Sequence, residues 1–268
     1  MSYTVNCSIL LTELPLLERP AAAKAAGFEA VEFWWPFAES VPSDKDVNAF
    51  EKAITDAGVQ LTGLNFNAGD MPAGDRGLVS WIGRDAEFKD NIDVVAGIGE
   101  RLGCKAFNAL YGNRQDGASA QEQDELAVAN LVAAATGVAR IGGTVLLEPV
   151  SGTPAYPLKT AQDVLDVLAK TQAGGVDNVK LLADFYHLAV NGDDVAAVIE
   201  NHAKDFGHIQ IADNPGRGAP GTGELPLGEW IARSRELGYD GYIGLEYKAP
   251  AAEAFSWAIR QRSTSQAG

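Results

Sequence analysis

Cysteine, histidine and methionine are scarce in this chain, with two, three and two in 268 residues. Cys7 and Cys104 lie in or beside apolar runs and read as buried free thiols. No CxxC or Cys/His pairing exists, which excludes a zinc finger. Basic residues are also short, 21 against 36 acidic ones, for a formal net charge of -15. That balance argues against nucleic acid, whose binding depends on neutralising phosphates with Lys and Arg. It argues equally against an anionic membrane surface. The acidic excess itself names no partner, because solvated helix faces carry such charge. No apolar run reaches the roughly 18 residues that a membrane span needs. The opening residues Met1 to Asn6 lack a basic segment followed by an apolar one, so no secretory signal is visible. A soluble, cytoplasmic protein is expected. No GxGxxG follows the first strand and no GxxxxGK[ST] occurs, which removes the common nucleotide-phosphate loops.

What is present is an alternation of short apolar runs with helical patterns. Hydrophobic residues make up 46%, enough for a large core, and 29 glycines suit many short loops. Strands are expected over Thr4–Leu10, Ala30–Trp35, Gln60–Phe66, Ala106–Tyr111, Thr144–Val150, Val179–Tyr186, Phe206–Ala212 and Gly241–Tyr247. Helices are expected over Leu17–Ala26, Asp46–Ala57, Asp85–Leu102, Gln121–Ile141, Thr160–Gln172, Val195–His202 and Leu227–Leu237, with Ala251–Arg262 closing the chain. Several helices stop at a glycine just before the next strand, at Gly27, Gly58, Gly103 and Gly238, as a left-handed C-terminal cap requires. Strands apolar on both faces belong to a parallel sheet covered by helices. Eight such units in one 1–268 domain match an α/β fold of the (β/α)8 TIM-barrel type, with an open doubly wound sheet as the alternative.

Four polar residues recur at matching places, each in the downstream end of an apolar strand-like run. Glu148 follows Thr144-Val-Leu-Leu, Asp184 follows Val179-Lys-Leu-Leu-Ala, Gln210 sits in His208-Ile-Gln-Ile, and Glu246 follows Tyr242-Ile-Gly-Leu. A lone carboxylate at such a place costs several kcal/mol unless it is paired or bound to metal. In a barrel, the C-terminal strand ends build the active site. All four residues would share one rim there, and four oxygen donors suit Mg2+ or Mn2+ better than softer metals.

His187, three residues after Asp184, would stand at the mouth of strand six, as a donor to a substrate oxygen or as a satisfied buried ring. His208 would sit one layer below Gln210 on the same side of its strand. His202 ends a helix. The Gly/Pro-rich stretch Asn214–Glu224 is either a flexible connection or a substrate loop with Arg217 as a two-pronged carboxylate binder. The stretch Asn67–Gly77 is either a cluster of turns or a lid. Glu32, in an aromatic strand, either contacts substrate or pairs with a neighbouring base, and the pocket is the expectation. Trp34, Trp35 and Phe66 would pack or wall the pocket.

These residues resemble a known family. Val31-Glu-Phe33, Ala68-Gly-Asp70, Ala73-Gly-Asp-Arg-Gly77, Leu147-Glu-Pro149, Asp184-Phe-Tyr-His187, Gly207–Pro215, Pro220-Gly-Thr-Gly-Glu224 and Gly244-Leu-Glu-Tyr-Lys248 look like hydroxypyruvate isomerase, of the xylose-isomerase-like TIM-barrel superfamily. The resemblance runs from about residue 4 to residue 250. It implies a divalent metal, Mg2+ or Mn2+, held by Glu148, Asp184, Gln210 and Glu246. It also implies that Glu148 and Glu246 are the catalytic acid/base pair. His187, Arg217 and Glu32 are the expected substrate-binding residues. The related ketose 3-epimerases usually carry His where this chain has Gln210, which favours the hydroxypyruvate branch; 2-oxo-tetronate isomerase shares nearly the same motifs. The implied partner is a small hydroxy-keto acid or a sugar, with no nucleic acid and no membrane. An apurinic-site endonuclease shares the superfamily fold, but it needs several zinc-binding histidines and a basic surface. A non-catalytic binder of metal and sugar acid is the remaining class. An exposed helical face could support a homo-oligomer.

Overall fold

A computed structural model describes residues 2–258. Eight parallel strands close into one barrel, each hydrogen-bonded to its sequence neighbours, with the eighth pairing to the first. They are β1 (Tyr3–Asn6), β2 (Ala30–Phe33), β3 (Gln60–Asn65), β4 (Ala106–Asn108), β5 (Thr144–Leu147), β6 (Val179–Asp184), β7 (Phe206–Ile211) and β8 (Ile243–Leu245). The helices between them are α1 (Arg19–Ala25), α2 (Asp44–Ala57), α3 (Asp85–Leu102), α4 (Ala120–Ala139), α5 (Ala161–Ala173), α6 (Phe185–Val190), α7 (Val195–His202) and α8 (Leu227–Glu236). The expected (β/α)8 architecture is the observed one.

Local chemistry sets the helix ends. Ser119 caps α4 by accepting from the Glu122 amide at 3.1 Å, while the Glu122 carboxylate accepts from the Ser119 amide at 3.0 Å. Thr160 and Asp163 repeat this reciprocal cap at α5, satisfying amides that have no intrahelical partner. Gly58 and Gly103 close α2 and α3 with φ of 65° and 73°, a conformation that costs a side chain energy.

Alternation along each strand sorts the side chains into two sets. Val5, Val31, Phe33, Val145, Leu181, Ile209, Ile243 and Leu245 face the helices. Thr4, Asn6, Glu32, His208 and Gln210 face the barrel interior, which is therefore polar at its centre. The outward layer is tightly packed. Phe66, just past β3, lies 5.4 Å from Phe88 of α3 and 6.2 Å from Phe107 of β4, measured between ring centroids.

The strands end earlier than the apolar runs suggest. Ala109–Tyr111, Glu148–Val150 and Glu246–Tyr247 lie beyond the ladder, as rim segments. The run Val179–Tyr186 is also interrupted: β6 stops at Asp184, whose side chain caps a rim helix, α6, that the apolar pattern does not reveal. The closing helix expected over Ala251–Arg262 is turn through Phe255, and its far end lies outside the described residues. This segment seals the β8–β1 wall, with Trp257 packed edge-on against Tyr3 at 5.2 Å and donating to Tyr247 Oη at 2.8 Å.

The approach of α3 to the barrel yields a test. A methyl group at Gly99 would collide with the Phe107 ring, whereas one at Gly97 would meet the movable Arg101 head group at 3.1 Å. Gly99→Ala should lower the unfolding free energy in urea by about 1–3 kcal/mol through overpacking. Gly97→Ala should be neutral or stabilising by up to about 1 kcal/mol, from helix propensity alone. A Gly99→Ala protein as stable as the parent would refute the close packing.

Candidate active site and metal centre

The ends of β5, β6, β7 and β8 bring Glu148, Asp184, Gln210 and Glu246 to one rim. The register sets Asp184 beside Gln210, and Gln210 beside Gly244, two residues short of Glu246. All four are buried. Glu148, Asp184 and Gln210 are each held by one part of the head group. Glu148 Oε1 accepts from Asn108 Nδ2 at 2.9 Å. Asp184 Oδ1 accepts from the Tyr186 and His187 amides at 2.9 and 3.2 Å, at the start of α6. Gln210 Nε2 donates to Glu32 Oε1 at 2.7 Å. The remaining oxygen of each, Glu148 Oε2, Asp184 Oδ2 and Gln210 Oε1, is buried without a hydrogen-bond partner. A buried oxygen without a donor is expensive, and three on one rim form the kind of donor set that a hard cation takes.

Glu246 is engaged on both sides. Its Oε2 accepts from Asn6 Nδ2 at 2.9 Å, and its Oε1 pairs with Arg217 Nη2. The guanidinium also lies 3.9 Å from Asp184 Oδ2 and 5.6 Å above the Tyr186 ring. Arg217 is thus directed inward at the acids. The loop that carries it is tied together by hydrogen bonds: Asp213, itself buried, accepts from the amides of Asn214, Gly221 and Leu225 at 2.9–3.0 Å. Arg217 holds a left-handed φ of 56°, and its carbonyl accepts from the Lys248 amide at 2.7 Å.

Burial pushes the Glu148 carboxyl up to about 8, and the neighbouring Asp184 charge adds to the rise. Burial also lifts Glu246 well above the usual carboxylate range, against the pull of Arg217. Burial lowers His187 to about 4, so its ring is neutral near pH 7. The Ser151 amide donates to Nδ1 at 3.1 Å, which assigns the ring proton to Nε2. That N–H faces Asp184 Oδ2 at 3.7 Å. Asp184, His187 and Glu246 offer ligand atoms all within 4.8 Å of one another, a cluster that could hold a metal ion. The Ser151 amide opposes a proton on Nδ1, however, and so favours His187 as a donor over His187 as a ligand.

Two of the expected substrate-binding residues have partners within the protein. Glu32, expected in the pocket, lies beneath it: His208 Nε2 sits 2.7 Å from its Oε2, and Asn6 and Gln210 donate to its Oε1. It serves as the base-paired acid under the rim. Arg217, expected to meet a substrate carboxylate, lines the cavity above the rim and is paired there with Glu246. His208 is one layer below Gln210, as its spacing indicates. Asn6 and Asn108, not singled out from sequence, are the amides that orient Glu246 and Glu148. Tyr156 supports Glu148 from behind, donating to its carbonyl at 3.1 Å.

Above the rim opens a cavity of about 620 Å³ walled by Trp34, Met71, Arg76, Ser151, His187 and Lys248, with Glu148 and Glu246 at its floor. Residues 20–262 match the model of the xylose isomerase-like TIM barrel. A Streptomyces coelicolor protein provisionally named a hydroxypyruvate isomerase is 53% identical over 263 residues, 95% of this chain and 94% of its own. The Escherichia coli hydroxypyruvate isomerase is 30% identical over 250 residues, 92% of this chain and 93% of its own.

The chain belongs to the hydroxypyruvate isomerase family of xylose isomerase-like TIM barrels.

By that membership it is an enzyme of the isomerase class. A Cupriavidus necator 2-oxo-tetronate isomerase is 32% identical, over 93% of each chain. Among solved structures, a Brucella melitensis protein titled AP endonuclease, family 2, superposes with a TM-score of 0.85 at 29% identity, covering 96% and 98% of the two chains. An L-ribulose 3-epimerase at 22% identity, TM-score 0.73, shares the fold. No helix among the described residues is long and apolar enough to cross a membrane.

The raised carboxyls set the proton balance expected for divalent-cation binding at this rim. A Glu148 carboxyl near 8 is mostly protonated at pH 7, and it must ionise to bind a cation. Calorimetric titration with Mn2+ in buffers of different ionisation heat should therefore show release of on the order of one proton per ion at pH 7. The release should fall as the pH rises past 8. Asp184→Asn should weaken Mn2+ binding by about 10-fold or more. Tight binding without proton release would contradict this account of Glu148.

Proposed function

We propose that this enzyme interconverts hydroxypyruvate and tartronate semialdehyde by moving one proton between adjacent carbons. The supporting observation is the pair of buried glutamates from strands that do not pair with each other, both at the floor of one cavity and both with raised carboxyls. Such a group can take a carbon-bound proton and return it near neutral pH. Hydroxypyruvate carries its hydroxyl on C3 and its carbonyl on C2. One glutamate removes the C3 proton, and the electron pair moves into a C2–C3 enediolate. The other glutamate delivers a proton to C2. The hydroxyl proton passes from O3 to O2, so C3 becomes the aldehyde and C2 the alcohol. No electron or atom leaves the substrate.

Asn6 and Asn108 hold the two carboxylates in their orientations, and His187 would donate from Nε2–H to a substrate oxygen. Glu148, Asp184, Gln210 and Glu246 are the residues that would hold a Mg2+ or Mn2+ ion. When bound, the ion would act as a Lewis acid on the vicinal oxygens and spread the negative charge that develops there. A four-carbon 2-oxo acid is the second reading. It is favoured by the tetronate-named relative and by a cavity far larger than a three-carbon acid fills.

The test follows carbon-bound protons by NMR in D2O with hydroxypyruvate and Mg2+ or Mn2+. Conversion to tartronate semialdehyde, abolished by EDTA, supports the proposal. Glu148→Gln and Glu246→Gln should each lower turnover by about 10²–10⁴-fold. If both variants turn over like the parent, the acid/base assignment is wrong. If the parent converts only the four-carbon acid, the second reading replaces the first.

A further inference from the structure

Two cations at the cavity mouth are not consumed by the site's own acids. Arg76 comes from the loop after β3 and Lys248 from the segment after β8, and both line the cavity above Glu148 and Glu246. Arg217 is committed to Glu246 and Asp184, and His187 is neutral. Arg76 donates through Nη1 to the Met71 and Asp75 carbonyls at 3.0 and 2.6 Å. Among the described residues, neither Arg76 nor Lys248 forms an ion pair with a carboxylate, although acids outnumber bases 36 to 21. What sets these two apart is that both line the cavity above the buried acids.

Both are held from behind. Asp75 pins the Arg76 loop, its Oδ2 accepting from the Asp70 amide at 2.8 Å and from Arg84 Nη1 at 3.1 Å. The Gly77 amide closes the loop on the Ala68 carbonyl at 2.9 Å. The Lys248 amide is tied to Arg217. Side chains alternate beyond β8: Glu246 faces the cavity, Tyr247 is fully buried behind it, and Lys248 returns to the cavity. Lys248 therefore stands about 6–7 Å of extended chain above the glutamate.

We propose that Arg76 and Lys248 form the subsite for the substrate's carboxylate, and that they, not Arg217, select a 2-oxo acid over an uncharged ketose. The inference rests on the acid substrate proposed above and assigns the residues that recognise it. A net charge of -15 repels an anion at long range, so a local cation pair is what admits one. With Nη1 donating to two carbonyls, Arg76 keeps its Nε and Nη2 donors for a carboxylate, and Lys248 offers a mobile point charge. The far end of the acid then reaches the two glutamates on the floor.

The experiment measures binding, independently of turnover. Calorimetry on the Mn2+-loaded protein compares D-glycerate with glycerol, its uncharged counterpart. The parent should bind glycerate in preference to glycerol. Arg76→Met should weaken glycerate binding about 10-fold or more and Lys248→Met about 3-fold or more, with glycerol unchanged. Lys248→Arg, which keeps the charge, should restore most of its share and guards against a folding defect in the Met variant. Equal glycerate affinity in the parent and both Met variants overturns the proposal. So does equal loss for glycerate and glycerol, or a parent with no preference between them. Hydroxypyruvate turnover, run on the same parent preparation, tests the proposed reaction separately: a parent that binds glycerate through these residues but does not isomerise hydroxypyruvate keeps the subsite and loses the reaction.

Discussion

Carboxylates shielded from water must be neutralised, and four of them meet at one end of this barrel. Glu32, Glu148, Asp184 and Glu246 are exposed by 6% or less. Left as bare anions, each would cost several kcal/mol. The structure meets this demand in three ways. Glu32 receives an imidazole and two amides, and is fully served from within the protein. Glu246 receives a guanidinium. Glu148 and Asp184 are only half served, each with one oxygen hydrogen-bonded and one not, the free Asp184 oxygen having only Arg217 and His187 at 3.9 and 3.7 Å. The bare oxygens fall where the four strand ends converge. The protein supplies too little charge there by itself, which makes the rim receptive to an added cation or proton.

The scaffold explains why the demand is not relieved by movement. Gly244 has no side chain, and a methyl there would press on Gln210 Cγ at 2.7 Å and Glu32 Oε1 at 2.8 Å. The layer under the rim therefore closes around Glu32, and Gln210 is fixed by its amide nitrogen with its oxygen turned away. Asp184 is fixed in the same sense, because one of its oxygens is spent on starting α6. The second oxygen is then aimed by the backbone. Such preorganisation places charge before any ligand arrives, which is where electrostatic catalysis gains most.

Much of this was legible along the chain, for identifiable reasons. Six strand starts, from Ala30 to Phe206, agree with the apolar pattern, because parallel strands are buried on both faces from their first residue. Their ends were harder to read, since Ala109, Leu110 and Tyr111 stay buried after the ladder has stopped. The helix α6 was hidden because Phe185-Tyr-His-Leu-Ala-Val190 continues an apolar run; its one signal was Asp184 as a cap. The four rim residues stood out as polar atoms after apolar runs. Asn6 and Asn108 carry the same signal at the ends of β1 and β4, but an amide at such a place draws less notice than a charge. The depth of Glu32 was not legible. It depends on the register of β2 against β1 and β3, which no local pattern states. The partner of Arg217 lies 29 residues away and is likewise a product of closure.

The fold alone would not have separated these possibilities. The same barrel carries a Brucella protein titled as an endonuclease and an L-ribulose epimerase, so function has to be argued from the site. Here the site's composition narrows the chemistry. A rim with one amide and three carboxylates is oxygen-rich, and the surrounding chain is strongly acidic, which disfavours a nucleic-acid substrate. The same acidity creates a problem for an anionic acid, which must cross a repulsive field to reach two glutamates. Arg217 cannot solve it while it neutralises Glu246. For an acid substrate as proposed, the charge that admits it and the charge that steadies the site's acids would come from different residues: Arg217 is paired with Glu246, while Arg76 and Lys248 line the cavity without a carboxylate partner among the described residues. Separating the two roles lets the floor respond to metal and pH without losing its grip on the substrate.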